Sequence, residues 1–247
     1  MTKYAHDTIV PFKESELSKK EQVAGMFDKI AFRYDFLNRF LSAGIDVSWR
    51  KKAIKELKSL QPQQVLDVAT GTADVALLTY KMLQPQKITG IDISDGMLDL
   101  GRKKVAKLKL SNKIELLNGD SETINFADNS FDAITVAFGV RNFEHLEKGI
   151  GEMLRVLKPG GKLVVLEFSK PKQVAFKGLY NLYMNKVAPG FGKLIAKNGD
   201  AYQYLNDSVQ RFPEGKQFIN IMEGTGFTDT YYKPLTMGIC TIYCGTK

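Results

Sequence analysis

Between Gln64 and Ser169 the chain alternates two hydrophobic patterns. The runs QVLDVA, KITGID, KIELLNGD, FDAITVAFGV and GKLVVLEFS are short, apolar and rich in β-branched residues, and they read as strands. Between them ADVALLTYKML, DGMLDLGRKKVAKLKL and EHLEKGIGEMLRVL carry apolar residues at helical spacing. Pro85 follows the first of these helices and Ser94 is placed to cap the second. Lys158-Pro159-Gly160-Gly161 is a turn signal behind the third. Strands alternating with helices predict a mostly parallel sheet, wound by right-handed crossovers with helices on both faces.

The flanks follow other patterns. VAGMFDKIAFRYDFLNRFL and VSWRKKAIKELKSL predict two helices before Pro62, while residues 1 to 20 read as loosely ordered. After Ser169 the alternation stops. FKGLYNLYMNKV and AYQYLNDSVQRF predict aromatic amphipathic helices, and EGKQFINIMEGT, GFTDTYYKPL and GICTIYCGT predict a closing helix and two strands. The expected organisation is an N-terminal helical segment (1–60), a cofactor-binding core (61–169), a helical substrate cap (170–213), and a C-terminal helix and hairpin (214–247) that complete the sheet.

Composition adds little. The chain has 247 residues, 44% hydrophobic and 25% charged, as expected of one α/β domain with extra segments. A net charge of +8 favours anionic membranes, nucleic acid or phosphorylated ligands without choosing among them. The N-terminus has no apolar signal region, and no apolar run is long enough to span a membrane. Cys240 and Cys244, four apart in an expected strand, are too distant for a disulfide and too few for a structural zinc site. They read as reduced core residues.

The candidate chemistry starts at VLDVATGTAD, residues 65–74. A strand followed by a glycine turn usually cradles a nucleotide. A dinucleotide loop would carry three glycines; only Gly71 is present, with Ala69 and Ala73 in the flanking slots. Asp67 ends the first strand and can accept from loop N–H groups or a ligand amine. Thr72 can donate to a carboxylate. Asp92 ends the second strand, where a carboxylate grips ribose hydroxyls. Asp120 and Ser121 follow the third, where a carboxylate can take an adenine amine. Singly, an Asp at a strand end is more often a cap or turn former. As a set they suit an adenosine with a carboxylate tail and no pyrophosphate, which favours S-adenosylmethionine over NAD. An RNA-binding reading, motivated by the charge alone, finds no recognition motif.

From about Gly25 onward the sequence resembles the menaquinone and ubiquinone biosynthesis C-methyltransferases, the demethylmenaquinone methyltransferases and 2-methoxy-6-polyprenyl-1,4-benzoquinol methylases. YDFLNRFLSAGIDVSW (34–49) is similar to the family's N-terminal signature and RVLKPGGKLVVLEFSKP (155–171) to its second; FGVRN (138–142) and YQYLNDSVQRFP (202–213) add to the likeness. Two positions depart from it. Asp46 stands where the family usually has a histidine, which argues against an essential catalytic histidine there. Ala137 replaces a cofactor-contacting serine.

The resemblance implies a Rossmann-like class I S-adenosylmethionine-dependent methyltransferase with its cofactor positions at Thr72, Asp92, Asp120 and Ser121. It implies methyl transfer to a ring carbon of a reduced prenylated quinol, most simply demethylmenaquinol. Because a neutral aromatic carbon is a poor nucleophile, an adjacent phenolate must push electron density onto it. Arg141 is the expected fixed charge for that phenolate, and Asn142 a hydrogen-bond partner for the same oxygen. The expected partners are the quinol lipid and a membrane surface touched peripherally from the cytoplasmic side, with no nucleic acid. Lys172, Lys177, Lys186, Lys193 and Lys197 among the cap aromatics suit that surface. Naphthoquinol versus benzoquinol, and a homodimer, stay open.

Overall fold

The computed structural model describes residues 4–41, 44–171 and 199–247. Strands β1 (Gln64–Val68), β2 (Lys87–Asp92), β3 (Ile114–Asn118), β4 (Phe131–Ala137), β5 (Leu157–Phe168), β6 (Thr228–Leu235) and β7 (Cys240–Thr246) form one sheet in the order β3-β2-β1-β4-β5-β7-β6. β1 to β5 are parallel; β7 runs antiparallel between β5 and β6. The strand order therefore reverses between β1 and β4, where ligands of such sheets bind.

The described helices are α1 (Lys19–Leu41), α2 (Asp46–Lys55), α3 (Asp74–Leu83), α4 (Asp95–Lys107), α5 (Leu146–Val156), α6 (Gly199–Arg211) and α7 (Lys216–Gly224). They cover both sheet faces. Leu146, Ile150 and Met153 of α5 and Phe218 and Met222 of α7 pack with Leu66, Val68, Ile134 and Val136 on one side. Trp49, Ala53, Ala76, Leu98 and Val105, from α2, α3 and α4, pack with Val65, Ile88 and Val164 on the other. Burial on both sides is why the central strands read as continuous apolar runs. Ser94 caps α4 as expected, its hydroxyl accepting the Met97 N–H at 3.2 Å.

Three expectations change. FGVRN does not extend β4. Phe138 turns to φ +61 and Val140–Asn142 forms a 3-10 turn that bends over the β1 loop. Gly139 makes this approach possible, since a Cβ there would stand 2.6 Å from that of Ala69. Next, Lys158–Gly161 does not separate helix from strand. It is absorbed into β5 as an irregularity against β4, with Gly160 at φ +76. Finally, the stretch ahead of α1 is packed rather than loose. Tyr4 donates to Glu147 Oε1 at 2.6 Å, His6 is buried, and Lys19 Nζ donates to the His6 carbonyl at 2.8 Å.

Cys240 and Cys244 are buried and free, with burial pushing the Cys244 thiol up to about 11. The expected helix FKGLYNLYMNKV and the five cap lysines lie outside the described residues; AYQYLNDSVQRF falls in α6.

Candidate functional site

At the carboxyl edge where β1 and β4 part lies a cavity of about 650 Å³, its open mouth included. The β1 loop and strand ends line it with Gly71, Asp92, Asp120, Ser121 and Asn142, and α1 closes one side with Val23 and Phe27. The loop answers the missing glycines directly. Ala69 and Ala73 adopt φ +54 and +65, and Gly71 φ +55. The alanines thus take the left-handed conformation a glycine would supply, at roughly 1–2 kcal/mol each. Such strain persists only where the surroundings over-determine it. Here Asp92 does so: its Oδ2 accepts the Gly71 N–H at 2.8 Å and its Oδ1 the Ser94 N–H at 2.9 Å.

Burial pushes the Asp92 carboxyl up to about 6, despite these N–H donors. On the rim above it, Asp28 of α1 accepts from the Ser94 hydroxyl at 2.6 Å and the Gly96 N–H at 2.9 Å, which ties α1 to the start of α4.

The other expected residues fall in two groups. Asp120 and Ser121 reach the cavity with Asp92 and Gly71. The Asp120 carboxylate is not open, however: Lys20 Nζ pairs with its Oδ2 and lies 3.4 Å from Glu122. A ligand amine reaching that oxygen competes with Lys20. Asp67 and Thr72 do not line the cavity. Asp67 is 1% exposed and accepts from the Thr70 and Thr135 hydroxyls at 2.7 and 2.6 Å, so it braces the loop from beneath rather than meeting loop N–H groups or a ligand amine. The Thr72 hydroxyl is buried and accepts from Lys104 Nζ at 2.9 Å.

Arg141 requires the largest correction. It is not an open charge at the mouth of β4. It is 4% exposed, and its Nη1 donates to Glu167 Oε1 at 2.7 Å and to the Phe138 carbonyl at 2.6 Å. The fully buried Glu167 neutralises it, so the pair offers a phenolate much less than a lone guanidinium would. Asn142 does reach the cavity, with its Oδ1 accepting from Tyr204 at 3.0 Å.

Sequence reasoning passed over Lys20, Val23 and Phe27, whose helical spacing reads equally as core, and Glu167. A carboxylate inside the apolar run LVVLEF was the available signal, because a buried charge demands a cation.

Burial raises both the Asp67 and the Asp92 carboxyl to about 6. Unfolded aspartate titrates near 3.9. Between about pH 4 and about pH 6 the folded chain therefore holds protons the unfolded chain releases, and these two groups favour folding more as pH falls. Protonated Asp92 loses acceptor capacity, so the thermal shift produced by S-adenosylmethionine should shrink as pH drops from about 7.5 to about 5. A constant shift across that range would exclude Asp92 as a titrating ligand contact.

A seven-stranded sheet in this order, with an acid-lined pocket at its switch point, is the Rossmann-like fold of the class I S-adenosylmethionine-dependent methyltransferases. Solved structures share the fold: a SAM-dependent methyltransferase from Aquifex aeolicus (TM-score 0.55, 22% identity, 78% of this chain and 88% of that one) and the Haemonchus contortus phosphoethanolamine N-methyltransferase 2 bound to S-adenosylhomocysteine (TM-score 0.65, 16% identity, 94% and 61%). Within the class, residues 15–247 match the ubiE/COQ5 methyltransferase family, and the chain belongs to it. Demethylmenaquinone methyltransferase of Bacteroides fragilis is 49% identical over 99% of both chains. The ubiquinone/menaquinone biosynthesis C-methyltransferase UbiE of Geotalea daltonii is 50% identical over 96% of this chain and all of that one.

Proposed function

We propose that this protein methylates a ring carbon of demethylmenaquinol, with S-adenosylmethionine as donor, in menaquinone biosynthesis. The observation that carries the reading is the full-length similarity to the Bacteroides fragilis enzyme of that name. The pocket supports the cofactor. It has acidic acceptors at two strand ends for ribose and adenine, a loop that brings backbone close at Gly71, and no crowded glycine turn for a pyrophosphate.

In this reading Asp92 takes the ribose hydroxyls, and Asp120 and Ser121 the adenine edge. Asp67 and Thr72 hold the loop in shape. Bound S-adenosylmethionine supplies an electrophilic methyl group. The chain's own part is to align the ring carbon with it and to exclude water, and alignment alone can be worth about 7–11 kcal/mol. Asn142 is the group assigned to a quinol oxygen. Arg141, paired with Glu167, holds the FGVRN turn that carries Asn142.

A prenylated quinol resides in membrane, so the site must work at a lipid surface. No described helix is long and apolar enough to cross one. The +8 charge and the exposed Phe32 on α1 support peripheral contact. Sedimentation with anionic but not neutral vesicles is the expected result, and equal recovery with both would remove the electrostatic part.

The test of function is anaerobic incubation with methyl-labelled S-adenosylmethionine and either reduced demethylmenaquinol or a reduced polyprenyl-benzoquinol, followed by mass spectrometry of the lipids. Label in the naphthoquinol is expected. Label only in the benzoquinol would support the second route named in the Geotalea daltonii relative. No label in either would overturn the reading.

A further inference from the structure

Tyr204 sits on α6, in the segment that reads as a cap, yet its ring is buried against Val23 and Met26 of α1. It is 3% exposed, and its hydroxyl stands 3.0 Å from Asn142 Oδ1. Burial pushes the phenol well above its ordinary value, with Glu167 adding to the rise and Arg141 opposing it. The hydroxyl is therefore protonated at any physiological pH and has a hydrogen to donate.

The surroundings decide which way round the Asn142 amide stands. On one side of the amide is the Phe138 carbonyl, an acceptor, 3.5 Å from Nδ2. On the other is Tyr204. The acceptor must face the amide nitrogen, so the amide oxygen faces the phenol. The Phe138 carbonyl already takes Arg141 Nη1 at 2.6 Å, and the 3.5 Å contact is at the limit of a hydrogen bond. The amide N–H groups of Asn142 are thus only weakly engaged, on a residue that lines the cavity.

We infer that Tyr204 is a positioning residue: by holding Asn142 Oδ1 it makes the site present an N–H donor, not a carbonyl acceptor, to a quinol oxygen. The inference rests on the function proposed above. A donor is what the reaction needs, since charge develops on that oxygen as the ring carbon becomes nucleophilic. An amide free to turn over would present its oxygen part of the time and repel the same charge. The arrangement also links α6 to the cavity through one hydrogen bond.

The experiment compares wild type with Tyr204→Phe, Asn142→Ala and the double variant in the full-length protein. It measures kcat and KM on reduced demethylmenaquinol, S-adenosylhomocysteine affinity by calorimetry, and Tm. Tyr204→Phe keeps the buried ring and removes only the hydroxyl. We expect its kcat/KM for the quinol to fall about tenfold, the scale of one lost hydrogen bond, with cofactor affinity within about twofold of wild type. Because Tyr204 acts through Asn142, the double variant should be no worse than Asn142→Ala alone. Multiplying losses in the double variant, or a parallel fall in cofactor affinity and Tm in Tyr204→Phe, would overturn the inference and leave Tyr204 a packing residue. A wild type that transfers no methyl group to either quinol would instead overturn the function, and the inference with it.

Discussion

Arg141→Met should destabilise the fold by about 3–5 kcal/mol near neutral pH, the usual consequence of removing one partner from a buried ion pair. Methionine fills much of the volume, so the loss is electrostatic rather than a cavity. Glu167, fully buried on β5, is left with backbone N–H groups as its partners, at Phe168 (2.8 Å) and, at longer range, Arg141 (3.4 Å). Burial already raises its carboxyl pKa with the arginine present, and losing the arginine raises it further.

The sign of the pH dependence follows. A carboxyl whose folded pKa lies above its unfolded value, near 4.3, binds its proton more tightly in the folded state. Stability then falls as pH rises through that window. The Arg141→Met defect should be smallest near about pH 4 and grow toward neutrality. Adding Glu167→Gln should restore much of the stability, because no uncompensated charge remains. Activity should not return with it. The Phe138 carbonyl has lost its 2.6 Å donor, and a small shift of the FGVRN turn can cost roughly a hundredfold in rate. Urea denaturation across pH for the single and double variants checks this. A pH-independent loss under about 1 kcal/mol would show that Arg141 is not balancing a buried charge.

Asp92→Ala should weaken S-adenosylmethionine binding by about 1–3 kcal/mol, roughly a fivefold to 150-fold change. In the proposed function the carboxylate bears on the ligand, and it already bears on the loop. Without it the Gly71 and Ser94 N–H groups lose their acceptors, and two alanines held at positive φ lose the group that braces them. Asparagine should be no milder. Both carboxylate oxygens face backbone donors, at 2.8 and 2.9 Å, so either orientation of an amide sets its N–H₂ against an N–H. Calorimetry with the cofactor on folded Asp92→Ala and Asp92→Asn decides it. Affinity within about threefold of wild type for either variant would remove Asp92 from the site.

The alternation of apolar runs and amphipathic helices determined the sheet, its mostly parallel sense and the placement of the β1 loop, because those features come from local periodicity and turn chemistry. That acids stand at or near the ends of β1, β2 and β3 was likewise legible, since a strand end is a position along the chain. What each acid does was not. Asp67 stands one residue before the end of β1 and Asp92 ends β2, yet one oxygen pair turns inward to Thr70 and Thr135 while the other meets the loop and the cavity.

Only tertiary structure decided the partners drawn from distant segments: Lys20 over Asp120, Glu167 against Arg141, and Tyr204 on Asn142. These pairs join residues 100, 26 and 62 positions apart. No pattern of period two or 3.6 reports such meetings, because they depend on how β4, β5 and two flanking helices converge at one edge of the sheet. Arg141 shows the difference most clearly. Its place in FGVRN was readable as a cation near the site, but the charge it offers there depends on a carboxylate on the next strand, and that neighbour exists only after the strands pair.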